Sequence, residues 1–437
     1  MNKRSSLLMD LAQKHNYKKC MRVAWIAPNG GNFTLDSLKG TGGWISSMES
    51  ALMESREDIE LALIFTHPGK TAPIKRGRVT YYPVCRPLEN NIQKLWNRWF
   101  RNEEQYEEQL VAKMVERVKE FEPDVVHVWG CENFYAKVLK YISYPSVVHI
   151  QGLASSIIQH YLPDGMSVEE LALQDNFIDR YLLKRGNLYD YKSFLSRVHS
   201  EKEIATYITN FVGRTEWDKT NSHKLSPQAR YFHCDELMRK EFFEQEWHYH
   251  HDGKLVIHSS ISNTWYKGMD LVLRAAQTLK SSGVDFVWNV YGVTASSSVV
   301  QYFSRKYDVV LEDVNIKFFG YVDADTLVRG LLECDLYVHP SHIENSSNAI
   351  AEAMMLGVPV VAQSVGGNPT MLDDDSGVLV QSNDMSSLIY HIRQMSNREV
   401  AEKYSSKART LAQKRHNKAK VVAELTEVYN AVVNGAH

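Results

Sequence analysis

HPSHIENSSNAIAEAMMLGVPVVAQSVGG, from His339 to Gly367, is the stretch from which the rest of the chain can be read. It opens at the end of the short apolar run CDLYVHP (334–340), a buried-strand pattern. The residues after that run therefore lie at a strand's carboxyl end, where open α/β sheets place their ligands. Ser346, Ser347 and Asn348 are residues of N-cap type ahead of AIAEAMM. They predict a helix that starts there with its free N–H groups aimed into the crevice, a good setting for phosphate. Glu344 and Glu352 are eight residues apart, about 12 Å if every residue between them were helical. Two carboxylates that act across a single bond sit closer, ~5–9.5 Å apart, so these read as separate groups, one in the loop and one inside the helix. Spacing alone leaves equal room for a solvated loop glutamate and a surface helix glutamate.

The same rhythm of short apolar runs and helical stretches extends in both directions. KLVIHSS, DFVWNVYG, VNIKFFG and VPVVAQS join CDLYVHPS in a second lobe that begins near residue 250, after the polar and aromatic segment EFFEQEWHYHHDGK (241–254). Upstream, MRVAWIAP begins at Met21 and runs into a loop rich in Gly and Asn, then GTGGWISSMESALMES, where Trp44, Ile45, Met48 and Leu52 recur at helical spacing. Further runs stand at IELALIFTH (59–67), DVVHVWG (124–130), PSVVHIQG (145–152) and TNFVGR (209–214). Strands alternating with helices imply parallel sheets covered on both faces. The fold class is α/β, in two lobes of equivalent architecture, 1–245 and 246–415. In the last segment, 416–437, Val421, Leu425, Val428, Tyr429 and Val432 share a helix face that must pack on something. That helix either closes the second lobe or crosses back to the first.

Composition narrows the function classes. The 437 residues carry 50 Lys and Arg against 52 Asp and Glu, a formal charge of −2, so no field recruits nucleic acid. Cys20, Cys85, Cys131, Cys234 and Cys334 are far apart with no C-x-x-C pair and read as free thiols of a reducing compartment. MNKRSSLLMDLAQKHNYKKC lacks a continuous apolar core, and no later run approaches ~20 apolar residues. The expectation is a cytoplasmic protein, neither secreted nor membrane-spanning.

The stretch E-N-S-S-N-A-I-A-E, with A-M-x-x-G-V-P-V-V and V-G-G-N-P after it, resembles the E-x7-E region of the GT4 family of retaining glycosyltransferases. WYKGMDLVLRAAQTLK resembles that family's K-G-x-D element, and Gly42 and Gly43 its N-terminal glycine loop. FVGRTEWD (211–218), with YFHCDELMRKEFF after it, is similar to a subgroup of bacterial surface-polysaccharide transferases. The resemblance implies a GT-B fold, two Rossmann-like lobes with parallel sheets facing a central cleft, with the nucleotide sugar, a UDP-sugar by preference, held mainly by the C-terminal lobe. The acceptor, a glycan or a lipid-linked glycan, would lie over the N-terminal lobe. Lys267 and Glu344 become the candidate catalytic pair, the ammonium neutralising the departing diphosphate and Glu344 facing the sugar or its leaving phosphate. Glu352 would accept from both ribose hydroxyls, as acidic residues do in dinucleotide sites. Asn345, Ser346, Ser347 and Asn348 contribute the helix start, and Gly42 and Gly43 let backbone amides approach the phosphates. No cofactor beyond the nucleotide-sugar co-substrate is expected, and no metal ligand set.

Two departures from the family pattern stand out. Many members carry an arginine shortly before the lysine, but SSISNTWYK has none, leaving Arg214 or Arg239 to supply the charge. Many also have a histidine where VVHIQG has Gln151, with His149 two residues earlier on the same strand face. Gln151, His149 and Arg214 are thus candidates on the sugar or acceptor side, as are Gly366 and Gly367 for close backbone approach to the donor. Thr370 replaces a glutamate often found there. Tyr321, after FFG, either stacks on the base or is a packed core tyrosine. KLWNRWFR (94–101) is either a helix whose aromatics are core, or a basic aromatic helix that docks peripherally on an anionic membrane. Two other readings of the whole chain are a non-catalytic sugar-nucleotide-binding partner subunit and a nucleotide-sugar epimerase of similar fold. The oligomeric state is not encoded in any pattern here.

Overall fold

The computed structural model describes residues 20–33, 43–163, 165–373 and 375–435. The first lobe holds β1 (Met21–Ile26), β2 (Ile59–Pro68), β3 (Ile74–Arg76), β4 (Val79–Arg86), β5 (Val125–Trp129), β6 (Ser146–His149), β7 (Asn210–Gly213) and β8 (Arg230–His233). They form one sheet in the order β3-β4-β2-β1-β5-β6-β7-β8, parallel except for the β3–β4 hairpin. The second lobe holds β9 (Leu255–Ser260), β10 (Phe286–Tyr291), β11 (Ile316–Gly320), β12 (Leu336–His339), β13 (Val360–Gln363) and β14 (Val378–Val380), all parallel, in the order β11-β10-β9-β12-β13-β14.

Continuous apolar runs suit this architecture because the central strands are buried on both faces, while the edge strands β3 and β8 are not. In β1, Val23 and Trp25 enter one core layer while Ala24 and Ile26 enter the other. The first layer is closed by the helix Gly43–Ser55 through Met48 and Leu52, the second by the helix Glu103–Phe121 through Leu110, Val111, Met114 and Val118. In the second lobe the helix Met269–Ser281 covers one face, and the helices Asn348–Leu356 and Arg398–Arg415 cover the other. Because β9 pairs with β10 on one side and β12 on the other, the chain leaves these two central strands in opposite directions. The gap between their carboxyl-end loops is the ligand crevice of a doubly wound sheet.

The last helix, Lys418–Asn434, crosses back to the first lobe. Val421, Leu425, Val428, Tyr429 and Val432 all sit in the same layer as Val23 and Trp25. Trp25 Nε1 donates to Tyr429 Oη at 2.8 Å, and His127 Nδ1 lies 2.7 Å from the same oxygen. An indole can only donate, so the phenol accepts from it and can pass its own proton to His127.

Where the chain crosses between lobes, Asp235 is buried against Arg415 (2.8 Å), Lys420 (3.0 Å) and His233 (3.3 Å). Beside it Arg214 is ion-paired with Glu236, Arg415 Nη2 donates to Arg214 O (2.7 Å), and His416 Nδ1 lies 2.7 Å from Glu236 O. Burial acts to raise the Asp235 carboxyl, but His233, Arg415 and Lys420 outweigh it and hold the group far below the usual range.

The basic aromatic segment forms the helix Asn91–Phe100, capped by reciprocal Asn90 and Gln93 bonds, and none of its residues is buried. Its aromatics are therefore not core residues, and that reading of KLWNRWFR is corrected.

Asp235→Asn leaves Arg415 without its buried counter-charge, so it should destabilise the protein by about 3 kcal/mol in urea denaturation at neutral pH. A carboxyl depressed in the folded state contributes stability above its unfolded pKa, near ~4, and loses it as pH falls. The gap between wild type and variant should therefore narrow steadily below about pH 4.

Candidate functional site

The loops after β9 and β12 meet at the crevice. Trp265–Lys267 forms a single turn ending at Gly268, which has φ +81°, and a Cβ there would fall 2.1 Å from Pro340 O. Only glycine lets the two loop backbones touch in this way. His342 N donates to Tyr266 O (2.9 Å) and His342 Nε2 lies 2.9 Å from Asp270 Oδ1, so the second loop is tied to the first turn of the helix Met269–Ser281.

Lys267 and Glu344, 77 positions apart, are brought together by this clamp: Lys267 Nζ donates to Glu344 Oε1 at 2.6 Å. His339 Nε2 reaches the same oxygen at 3.1 Å, and Tyr337 Oη lies 3.1 Å from His339 Nδ1. Glu344 is buried, which would raise its pKa, yet Lys267 and His339 hold it well below the carboxylate range. Burial likewise opposes the Lys267 charge, but Glu344 prevails and raises its pKa. Both groups stay ionised across the physiological range, a fixed ammonium at the mouth of a switch-point crevice. His339, at the end of β12, was not singled out by its sequence; a lone histidine before a proline carries no spacing signal.

Beyond Glu344 the loop is held from behind. Gly367 N donates to Glu344 O (2.9 Å), Thr215 Oγ1 of the first lobe donates to Asn345 O (3.0 Å), and Glu216 N donates to Thr370 Oγ1 (3.2 Å). A Cβ on Gly366, which has φ +54°, would lie 1.8 Å from Glu344 O, and one on Gly367 would lie 1.8 Å from Asn345 O. These glycines bring the loop after β13 against the backbone of the loop that carries Glu344 and Asn345. Ser347 caps the helix Asn348–Leu356 by accepting from Ile350 N, while Ser346 Oγ and Ser347 N reach Met371 Sδ at 3.7 and 3.0 Å. Asn345 Nδ2 is buried with no partner among the described residues. Asn348, its amide nitrogen turned to the carboxylate, donates to Glu236 at 2.6 Å.

One turn into that helix, Glu352 accepts from Arg239 Nη2 (2.6 Å) and Nε (3.2 Å) on a single oxygen. Burial raises the Glu352 carboxyl and Arg239 offsets part of the rise. Gly43 adjoins this pair, since a Cβ there would lie 3.3 Å from Arg239 Cδ. A cavity of about 850 Å³ opens between the lobes, lined by Gly43, Ser46 and Ser47 on one side and by Arg239, Phe243 and Tyr321 on the other. Tyr321 is 72% exposed, so the packed-core reading of it is corrected. Gly42 lies outside the described residues.

The two candidate arginines separate cleanly. Arg214 is 2% exposed, paired with Glu236 and donating to Ile150 O (3.3 Å), so it is a structural ion rather than a sugar or acceptor contact. Arg239 reaches the cavity. His149 sits in the strand core: it is fully buried, stacked on Trp129 (4.6 Å) and His127 (5.5 Å), and burial keeps it neutral. Gln151 is half-buried in the loop after β6. Among the described residues no three His, Cys, Asp or Glu side chains group as metal ligands.

Lys267→Ala should weaken binding of a nucleoside diphosphate roughly 10- to 100-fold, the loss of one charge-assisted contact, read by titration calorimetry. Gly366→Ala should lower the affinity as well by displacing the Glu344 carbonyl, with the larger drop in thermal midpoint.

Residues 240–414 match the family model described as glycosyl transferases group 1. WcaL of Escherichia coli (strain K12), a protein named for glycosyl transfer in colanic acid biosynthesis, is 28% identical over 143 residues, 31% of this chain and 34% of its own length. The match thus spans about a third of that relative. Among solved structures, sucrose-phosphate synthase from Thermosynechococcus elongatus superposes with a TM-score of 0.68 at 14% identity, covering 95% of this chain and all of that one. Anabaena HepE, solved in complex with UDP and glucose, gives 0.60 at 15% identity, covering 94% and 100%. Residues 240–414 are thus similar to glycosyl transferases group 1, and the two lobes together have the GT-B fold.

Proposed function

We propose that this chain is a retaining, metal-independent glycosyltransferase that moves a sugar from a nucleotide-diphosphate donor, UDP-sugar by preference, to a glycan or lipid-linked acceptor in cell-surface polysaccharide assembly. The observation that carries the reading is the Lys267–Glu344–His339 cluster at the switch point, in the same lobe as Glu352, whose partner Arg239 lines the interlobe cavity. The name of WcaL supports the polysaccharide setting, and the ligands in the HepE structure support UDP.

In this mechanism the donor diphosphate lies against Lys267 and the start of the helix Asn348–Leu356, with the base towards Tyr321. The acceptor hydroxyl attacks the anomeric carbon on the face from which the diphosphate leaves. The carbon–phosphate-oxygen bond breaks, the new glycosidic bond forms, and the acceptor proton passes to the leaving phosphate oxygen. Preorganised positive charge lowers the barrier by stabilising that oxygen. The ribose hydroxyls displace Arg239 from Glu352, and the released guanidinium turns to the diphosphate. It then supplies the arginine that the segment before Lys267 lacks.

Calorimetry with UDP, GDP and ADP, in the presence of a chelator, should find one nucleotide that binds tightly and is lost in Glu352→Ala. Arg239→Ala should weaken UDP roughly tenfold while leaving uridine affinity nearly unchanged. Absence of binding by all three nucleotides would end the proposal, and binding without transfer to any acceptor would favour the partner-subunit reading.

A further inference from the structure

The helix Asn91–Phe100 does not stand alone on the surface. Trp99 Nε1 donates to Leu182 O (2.8 Å), Arg98 Nη1 donates to Leu183 O (3.1 Å), and Lys184 Nζ lies 3.9 Å from the Trp99 ring centroid. A second apolar segment is thereby fastened to it. Ile92 is 79% exposed, Trp96 63%, Phe100 66% and Phe177 69%, with Trp96 against Phe100 (4.4 Å) and Phe177 against Tyr181 (5.0 Å). Side chains this large are scattered singly on ordinary surfaces; contiguous, they mark a contact face.

Around this face the cations outnumber the carboxylates left uncompensated. Glu89 and Glu103 share Arg101 (2.6 and 2.8 Å), which offsets one of their two charges, and Asp179 is paired with Arg185. Lys94, Arg98, Arg180 and Lys184 have no carboxylate partner among the described residues. Aromatic and branched apolar side chains interleaved with unpaired cations fit the interface of an anionic bilayer, where rings sit at headgroup depth and cations meet lipid phosphates.

Topology gives the patch its meaning. The helix comes after the carboxyl end of β4 and the second segment after that of β6, at the sheet edge whose loops meet the other lobe through Thr215 and Gly43. The chain leading to the second segment also packs Tyr161, Met166 and Leu171 into the second lobe's core, with the Tyr161 ring 5.7 Å from that of Tyr266, the neighbour of Lys267.

We propose that this two-part patch docks the first lobe on an anionic membrane surface, so that a lipid-anchored acceptor enters the cleft directly from the bilayer. The choice of acceptor rests on the transferase reading; the docking itself does not.

The test is co-sedimentation of the full chain with phosphatidylcholine vesicles, with and without phosphatidylglycerol, and without any nucleotide. Binding should require the anionic lipid and fall at least tenfold in high salt. Trp96→Glu with Phe100→Glu, and separately Phe177→Glu, should each reduce it about tenfold or more while UDP affinity stays at the wild-type value. Wild type that remains in the supernatant with anionic vesicles, or variants that bind as well as wild type, would overturn the proposal. So would a sedimentation-velocity dimer that the same variants disperse, because the face would then be covered by a second copy. Vesicle binding with no nucleotide binding would leave the docking intact and remove the transferase; the reverse pattern would do the opposite.

Discussion

Two passes of the backbone join the lobes, one leaving the first sheet after β8 and one returning before the last helix, and a single buried carboxylate, Asp235, holds both. It lies on the outgoing pass while Arg415 and Lys420 lie on the returning one. Buried ion pairs of this sort add little net stability against an apolar alternative, yet they are unforgiving of the loss of one partner. Their contribution is geometric. With Arg214 and Glu236 locked alongside, the cluster determines which loops of the first lobe oppose which loops of the second.

That constraint reaches Glu344 in two steps. Thr215 stands next to Arg214 in sequence and holds the Asn345 carbonyl, so the loop carrying Glu344 is supported from the other lobe. Gly366 and Gly367 support it from within the second lobe, at a distance that excludes any side chain. Glu344 is thus positioned by backbone contacts on both sides. Its carboxylate is left to serve Lys267 and His339, where a group on a mobile loop would lose most of the benefit of burial.

Much of this was legible in the sequence, and the exceptions have physical causes. The strands could be placed because each is an apolar run too short for anything else, and the convergence of Lys267 and Glu344 comes from two loops at one switch point. The destination of the last helix was not legible, since a periodic apolar face states that it is covered but not by what. Arg239 lies in a polar and aromatic connection without periodicity, so nothing distinguished it from Arg214; only burial separates the structural ion from the one at the cavity. His149 lies within the apolar run of β6, and its side chain enters a stack of rings. The helix Asn91–Phe100 has the composition of a core helix, and only the structure reveals that no core lies beneath it.

The hydrogen bond between Trp25 and Tyr429 links residues 404 positions apart. During synthesis, the first strand leaves the ribosome long before the helix that completes its core layer exists. The first lobe must therefore wait, with the apolar face around Val23 and Trp25 only partly covered by the helix Gly43–Ser55, until the second lobe has emerged, whereas the second lobe draws its core from its own sequence and from the segment around Tyr161 that precedes it. Contacts this distant are slow to form, and an exposed half-core is prone to aggregation in the interval. The lobe made first is the lobe finished last, which makes nascent chains of this protein dependent on whatever shields that face until the last helix arrives.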